Sequence, residues 1–397
     1  MTRYGGADRP GATNASTGLP TIVEERVNLT LTEEQEELRA SVRRFLSDKA
    51  PSEAVRRWMD SDEGFDTAVW QQMAGQLGLQ GLAVPEEFGG AGFGPVELGI
   101  VLEEMGRTLI PAPFFATVAL AGQALVASGD AAAQARWLPG IADGSLTATL
   151  ALSEEQGGAS LDAVATSARR QDSGWVLNGT KMFVVDGASA DVVLVVARAD
   201  DGLGLFAVEG NAAGLTRTRL DTLDPTRRLG RIELDDTPVE RVGPDGDATE
   251  YLRRVLDLAV VALAHEQTGG ASACLEAAVD YAKIRVQFDR PIGSFQAIKH
   301  KCADLLLEVE SSRSAAYSAA WAAAEDPAEL PIAAALAGSF CSEAYTHAAK
   351  ENIQIHGGIG YTWEHDAHLY LKRAKSSELL FGTPGTHRAR LADLVGI

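Results

Sequence analysis

Apolar positions change their spacing twice along the chain. Over about 31–145 they recur at helical intervals. In LTEEQEELRASVRRFLSDKA, Leu38, Val42 and Phe45 fall on one helix face. Thr32 followed by Gln35 has the spacing of a capping box, with glutamine where glutamate often stands. Later helical stretches are broken by PEEFGGAGFG (85–94) and by Pro111 and Pro113. Over about 147–242 the pattern becomes that of strands. TATLAL, GWVLNGTKMFVV, DVVLVVAR and GLFAVE are short, β-branched and separated by Gly, Asp and Asn turns. No helical stretch intervenes, which predicts antiparallel pairing in a small sandwich or barrel rather than a doubly wound sheet. From Glu250 helical spacing returns and predicts four long helices, over 251–285, 296–324, 328–356 and 364–381. Ile298, Cys302, Leu305 and Val309 mark one face of the second, and the whole reads as a bundle.

The expected fold is thus α+β and multidomain. A tail (1–28) precedes an N-terminal α-helical domain (29–146), a central antiparallel β-barrel or sandwich (147–246) and a C-terminal four-helix bundle (247–397). No internal repeat disturbs this order.

Composition narrows the function. A chain of 397 residues that is 46% hydrophobic can bury a large core. Its net charge of −20, from 35 basic and 55 acidic residues, argues against nucleic-acid binding. Cys274, Cys302 and Cys341 are sparse, odd in number and free of any CxxC, which favours a reducing compartment over a disulfide framework. The polar first 28 residues lack the apolar run of a secretory signal, and no stretch is apolar enough to span a bilayer. A cytoplasmic protein is expected.

Neither GxGxxG after a strand nor GxxxxGK[ST] occurs. His356, His365 and His368 are close in sequence, but a polar helix face explains them better than a metal site. Two stretches stand out. In YAKIRVQFDRPIGSFQAIKHKCADL (281–305), Arg285 and Arg290 flank Phe288 near a helix end. An arginine can fork onto a pyrophosphate and an aromatic ring can cover a flat ligand, though a helix hairpin with surface arginines has the same pattern. In QIHGGIGYTWEHDAHLYLKRAK (354–375), Gly357-Gly358 leaves backbone open to close approach.

These motifs, R-x-Q-F-x-R-P-I and Q-x-H-G-G-x-G-Y-T, with LALSEEQGGAS (150–160) and GWVLNGTKMFVVDGASADVVLVVAR (174–198), resemble the acyl-CoA dehydrogenase family over about residues 29–397. The resemblance implies FAD bound between subunits of a homo- or hetero-oligomer, an acyl-CoA substrate, and an electron-transferring flavoprotein as acceptor. Carried over by position, Arg285, Gln287 and Phe288 touch a neighbouring subunit's FAD, and Phe295 and Gln296 lie near its adenine half. Gln354, Gly357 and Gly358 approach the pyrophosphate. Leu152, Ser153 and the loop after them contact the flavin ring and thioester. Phe183 and Val185 lie behind the flavin, and Thr383 faces it. Two positions depart from the family pattern. Ser153-Glu154-Glu155-Gln156 stands where the family has Thr-Glu-Pro-Gly, and Asp289 replaces a glycine.

The family reaction removes an α-proton from a thioester, which needs a carboxylate within reach. At the two positions where the family carries that glutamate, this chain has Phe381, in SSELLFGTPGTHR, and Ala259. The family arginine beside the second position is Val260, while the aspartate before it remains as Asp257. Three explanations follow: a partner subunit supplies the base; another carboxylate, Asp257 or Glu378, has taken over; or the scaffold serves flavin-dependent oxygenation. A non-enzymatic binding role is a further reading.

Overall fold

A computed structural model describes residues 30–171 and 174–397, so the expected tail over 1–28 lies outside the described residues. The helical part begins with α1 (Glu33–Lys49), α2 (Ser52–Asp60), α3 (Thr67–Leu77) and α4 (Pro95–Thr108). A π-helical stretch, Phe115–Gly122, leads into α5 (Gln123–Ser128), and α6 (Ala131–Ala142) follows. The capping box at α1 forms as the sequence predicts. Gln35 N donates to Thr32 Oγ1 (3.3 Å) and Thr32 N donates to Gln35 Oε1 (3.0 Å).

The β part comprises β1 (Ala148–Ala151), β2 (Ser167–Gln171), β3 (Gly174–Val185), β4 (Val192–Ala199), β5 (Gly202–Glu209), β6 (Leu215–Arg219) and β7 (Leu229–Val242). Pairings β4–β2–β3–β7–β5 return to β4 and close a barrel, with β1 beside β4 and β6 beside β7. The expected all-antiparallel pairing is corrected in two places: β1 and β2 both run parallel to β4. The reason is local, because the chain enters and re-enters the sheet along one edge of β4, in the same direction each time. Val193, Val195 and Phe206 fill the barrel interior.

Beyond it come α7 (Thr249–Ile284), a two-residue hairpin β8 (Val286–Gln287) and β9 (Arg290–Pro291), then α8 (Gln296–Glu325), α9 (Leu330–His356), α10 (Ala367–Leu380) and α11 (Pro384–Leu394). The four long helices fall within a few residues of their expected bounds. The fifth, α11, lies beyond the sequence expectation. The Gly-Thr-Pro-Gly stretch does stop α10, but Thr383 then caps a new helix, accepting from Thr386 N (3.2 Å), with Pro384 in its first turn. α4 and α7 meet backbone to backbone through Gly106 and Gly269, where a Cβ would stand 2.0 and 1.8 Å from the carbonyl oxygens of Glu266 and Glu103.

The histidines near α10 are corrected as well. His356 and His368 are buried, not on a polar face. His356 stacks on Tyr281 and lies against His365, ring centroids 4.3 Å apart in each case, and His368 stacks on Trp363. Among the described residues no group of three or more His, Cys, Asp or Glu is placed to hold a metal ion.

Candidate active site

A cavity of about 1090 Å³ opens between the barrel, α7, α10 and α11. That is the upper end of the roughly 300–1,000 Å³ common for ligand pockets. Its walls come from Ser153 and the loop 157–162, from Leu223 and Asp224 before β7, from Leu256 and Val260 on α7, and from 375–376, 378–383 and Arg390.

β3 delivers Phe183 to this cavity by a bulge. Lys181 pairs with Ile232 and Val184 with Gly230, so β3 holds one extra residue there. Phe183 sits at φ 58 with its side chain 46% exposed, a backbone conformation that bulky residues adopt only when their surroundings impose it. Ser153, Phe183, Thr383, Glu378 and Phe381 of the expected site residues all line the cavity. Leu152 is buried beside it in the core, and Val185 instead lines a second, interior cavity.

Arg285, Gln287, Phe288, Phe295 and Gln296 are on or beside the β8–β9 hairpin, outside the large cavity. Phe288 (φ 54) and Asp289 (φ 60) form its two-residue turn, which demands positive φ at both places. Asp289 meets that demand where the family has glycine. Phe288 is 84% exposed, and the Arg290 guanidinium lies 4.1 Å over the Phe295 ring. Gln354 and Gly358 are exposed at the end of α9. Gly357 is half-buried at φ 64, and a Cβ on either glycine would meet nothing within 4 Å.

Both family base positions are apolar. Ala259 is fully buried, and Phe381 packs against the same core, its ring centroid 6.3 Å from that of Phe115. The Arg227 guanidinium also lies over the Phe115 ring, 4.9 Å from its centroid. The two remaining carboxylates are engaged. Asp257 is buried and accepts from both terminal nitrogens of Arg390 on α11. Asp257 does not line the cavity. Glu378 does, one turn before Phe381, but accepts from Lys375 Nζ (2.5 Å) and Thr346 Oγ1 (3.3 Å).

A buried tetrad that periodicity could not reveal braces the cavity from behind. Arg373 of α10 donates to Asp224 Oδ2 (2.7 Å), Thr226 O (2.8 Å) and Glu266 Oε1 (3.0 Å). Arg227 donates to Glu266 (2.5 Å) and to Ser377 Oγ (3.3 Å). Burial opposes ionisation of Glu266, but Arg227 and Arg373 outweigh it and hold the carboxyl below its ordinary value. The sequence signal was present in Asp-Pro-Thr-Arg-Arg (224–228), charges in a segment next to a strand, but nothing in it gave the partners. Beyond the tetrad lies the interior cavity of about 30 Å³, lined by Asp186, Arg227, Arg228, Glu266 and Arg373. Burial raises Asp186 to about 7 against the pull of the three arginines.

An α–barrel–α chain folded around one large, mostly apolar cavity has the architecture of the acyl-CoA dehydrogenases. Models of the acyl-CoA dehydrogenase N-terminal, middle and C-terminal domains match residues 32–145, 149–237 and 249–395, and the chain belongs to the acyl-CoA dehydrogenase family, FAD-dependent oxidoreductases acting on CH–CH groups. It is similar to acyl-CoA dehydrogenase IpdE2 of Mycobacterium tuberculosis, 38% identical over 92% of this chain and 99% of that protein. Among solved structures it resembles a variant of the Tcur3481-Tcur3483 steroid ACAD (35% identity, TM-score 0.85, 92% of this chain and 99% of that one). It also resembles the ChsE4-ChsE5 complex of Mycobacterium tuberculosis (31%, TM-score 0.86, 93% and 99%). Among the described residues no helix is long and apolar enough to cross a membrane.

Proposed function

We propose that this chain is one subunit of a heteromeric acyl-CoA dehydrogenase of the cytoplasm that desaturates a CoA thioester with a bulky, steroid-type acyl group, a partner subunit supplying the proton acceptor. The observation that carries this is the pair Phe381 and Ala259, two apolar residues packed into one core where a carboxylate is required. The relatives support the rest. One is a steroid ACAD and another is a complex of two different proteins.

The residues present fit a flavin. The large cavity has the volume, and the open surroundings of Gly357 and Gly358 admit a pyrophosphate. In this reading Leu152, Ser153, Phe183 and Thr383 hold the ring side, with Val185 behind it, and Gln354, Gly357 and Gly358 hold the diphosphate. Arg285, Gln287, Phe288, Phe295 and Gln296 reach the nucleotide of a neighbouring subunit. The group supplies a hydride acceptor when bound. The chain's own residues orient the thioester, exclude water with Leu256, Val260, Leu380 and Phe381, and leave the α-proton to the partner's base. Electrons then pass to an electron-transferring flavoprotein.

A second reading keeps the base in this chain at Glu378, because its side chain lines the cavity. One experiment separates the two. The chain is purified alone and with the protein that co-purifies from its host, and both are assayed for flavin absorbance and acyl-CoA desaturation with a dye acceptor. We expect turnover only in the complex, unchanged by Glu378→Gln. Full turnover by the lone chain, abolished by Glu378→Gln, would replace the first reading with the second.

A further inference from the structure

β1 and β2 occupy one edge of β4, Ala151 opposite Val195 and Ser167 opposite Arg198. They would be a single strand but for the chain between them. Residues 152–166 leave the barrel, pass over the large cavity, which Ser153 and 157–162 line, and return a short step further along β4. The two ends of this excursion are therefore neighbours, as in an Ω loop.

A charge closes its neck. The Glu154 carboxylate accepts from Lys181 Nζ (2.7 Å), Ala165 N (2.9 Å), Thr166 N (2.9 Å) and Thr166 Oγ1 (2.7 Å). One side chain at the start of the loop thus grips its end. Lys181 is fully buried on β3 and donates its second bond to Leu152 O (3.0 Å), on the outgoing limb. Thr166 comes this close because residue 179 is glycine at φ 151; a Cβ there would stand 2.7 Å from Thr166 Oγ1. Past the neck the loop's backbone bonds are short-range, such as Gly157 N to Glu154 O and Ala163 N to Ser160 O, and Leu161 seats it on the core. Gly157 (φ 75) and Gly158 (φ 84) face open space.

We propose that Glu154 and Lys181 are positioning residues: their ion pair locks the neck of a flap, residues 152–166, and so sets how tightly the cavity beneath holds its ligand. The proposal rests on the reading that this cavity takes a flavin. Burial alone would raise the Glu154 carboxyl, but the bonds from Lys181 and Thr166 hold it down at about 2. Burial pulls the Lys181 ammonium down to about 8 against the bond and charge of Glu154. Without Glu154 the lysine is a buried charge with no counter-ion, and it sheds its proton or admits water at the neck. Either way the side-chain tie between the two limbs is lost and the loop is held only at its ends, by Met182 N to Ser153 O and Arg198 N to Thr166 O, while the strand pairings of β4 with β5 stay intact.

The test is hydrogen exchange on the full chain, in the assembly in which it purifies, with a titration by FAD alone. In E154Q the amides of 155–163 are expected to exchange about tenfold faster or more, and the FAD dissociation constant to rise by a similar factor. Amides of β4 and β5 keep their rates. T166V gives a smaller change in the same direction and carries the test should E154Q fail to fold. E154Q/K181M recovers part of the loss, since no charge is left unpaired. Unchanged loop exchange in E154Q overturns the proposal. So does equal acceleration in β4 and β5, which makes the pair a strut of the barrel only. A faster loop with unaltered FAD affinity overturns it too. If the unsubstituted chain binds no FAD, the functional reading fails, and loop exchange still decides whether the lock exists.

Discussion

The two cavities on either side of α10 differ in kind. The small one sets Arg227, Arg228, Arg373, Glu266 and Asp186 against apolar residues such as Phe114 and Phe115. The large one is faced by Leu256, Val260, Leu379, Leu380 and Phe381 as well as by charged groups such as Glu378 and Arg390. A single helix serves both, Arg373 turned inward and Phe381 closing the outer cavity two turns on. Charge is concentrated where Arg227 and Arg373 join the barrel to the helices, whereas positions 259 and 381 are apolar. The contrast teaches that buried ionisable residues in this fold are a poor guide to chemistry. Here they tie the barrel to the helices. Buried ion pairs often add little net stability, yet breaking one partner is severe because the other charge is stranded.

That asymmetry yields the largest expected effect. Arg373→Met strands Asp224 and leaves Glu266 with Arg227 alone, and equilibrium denaturation is expected to show a loss of about 3–5 kcal/mol. A loss under about 1 kcal/mol would mean water already compensates the tetrad. Next is Phe381→Ala, which removes a half-buried ring from Phe115. We expect roughly 2–3 kcal/mol, below the range for fully buried phenylalanines, with the flavin content of the assembled complex retained.

The third prediction concerns pH. The folded Asp186 carboxyl titrates near 7, above its ordinary 3.8. The folded chain therefore binds more protons than the unfolded chain between those values, so the group's contribution is full below about 4 and lost as pH rises through 7. Asp186→Asn is expected to raise Tm at about pH 8 relative to the unsubstituted chain, with a smaller gain at about pH 5. Equal shifts at both pH values would remove Asp186 from the charged side of the comparison. The smallest effect belongs to the exposed hairpin. Phe288→Ala is expected to change the lone chain's stability by less than about 0.5 kcal/mol, while weakening assembly or flavin retention in gel filtration with absorbance detection. Loss of folding instead would mean that the hairpin packs on its own chain.

Much of the architecture was legible from spacing. The cap at Thr32, the strand-rich middle and four long helices follow from local periodicity, which depends on near neighbours alone. Three features did not. Parallel entry of β1 and β2 onto β4 depends on which edge the chain meets twice. The α11 helix hides behind a Gly-Pro stop that is equally a start. The histidines at 356 and 368 read as polar, but aromatic neighbours from other elements bury them. At the site, Ser153, Phe183 and Thr383 could be named from the sequence and line the large cavity, and the apolar residues at 381 and 259 were plain. The tetrad was not, since Asp224, Arg227, Glu266 and Arg373 are spread along the sequence and meet only in space.

The sequence by itself determined the order of elements, the family motifs and the apolar residues at 259 and 381, because each is carried by the identity or period of nearby residues. Only the tertiary structure decided what the remaining charges do. It paired Asp257 with Arg390, engaged Glu378 with Lys375, and closed a loop on Glu154 and Lys181. A carboxylate's role depends on which cation shares its burial, and that is a property of the packed chain, not of its order along the sequence.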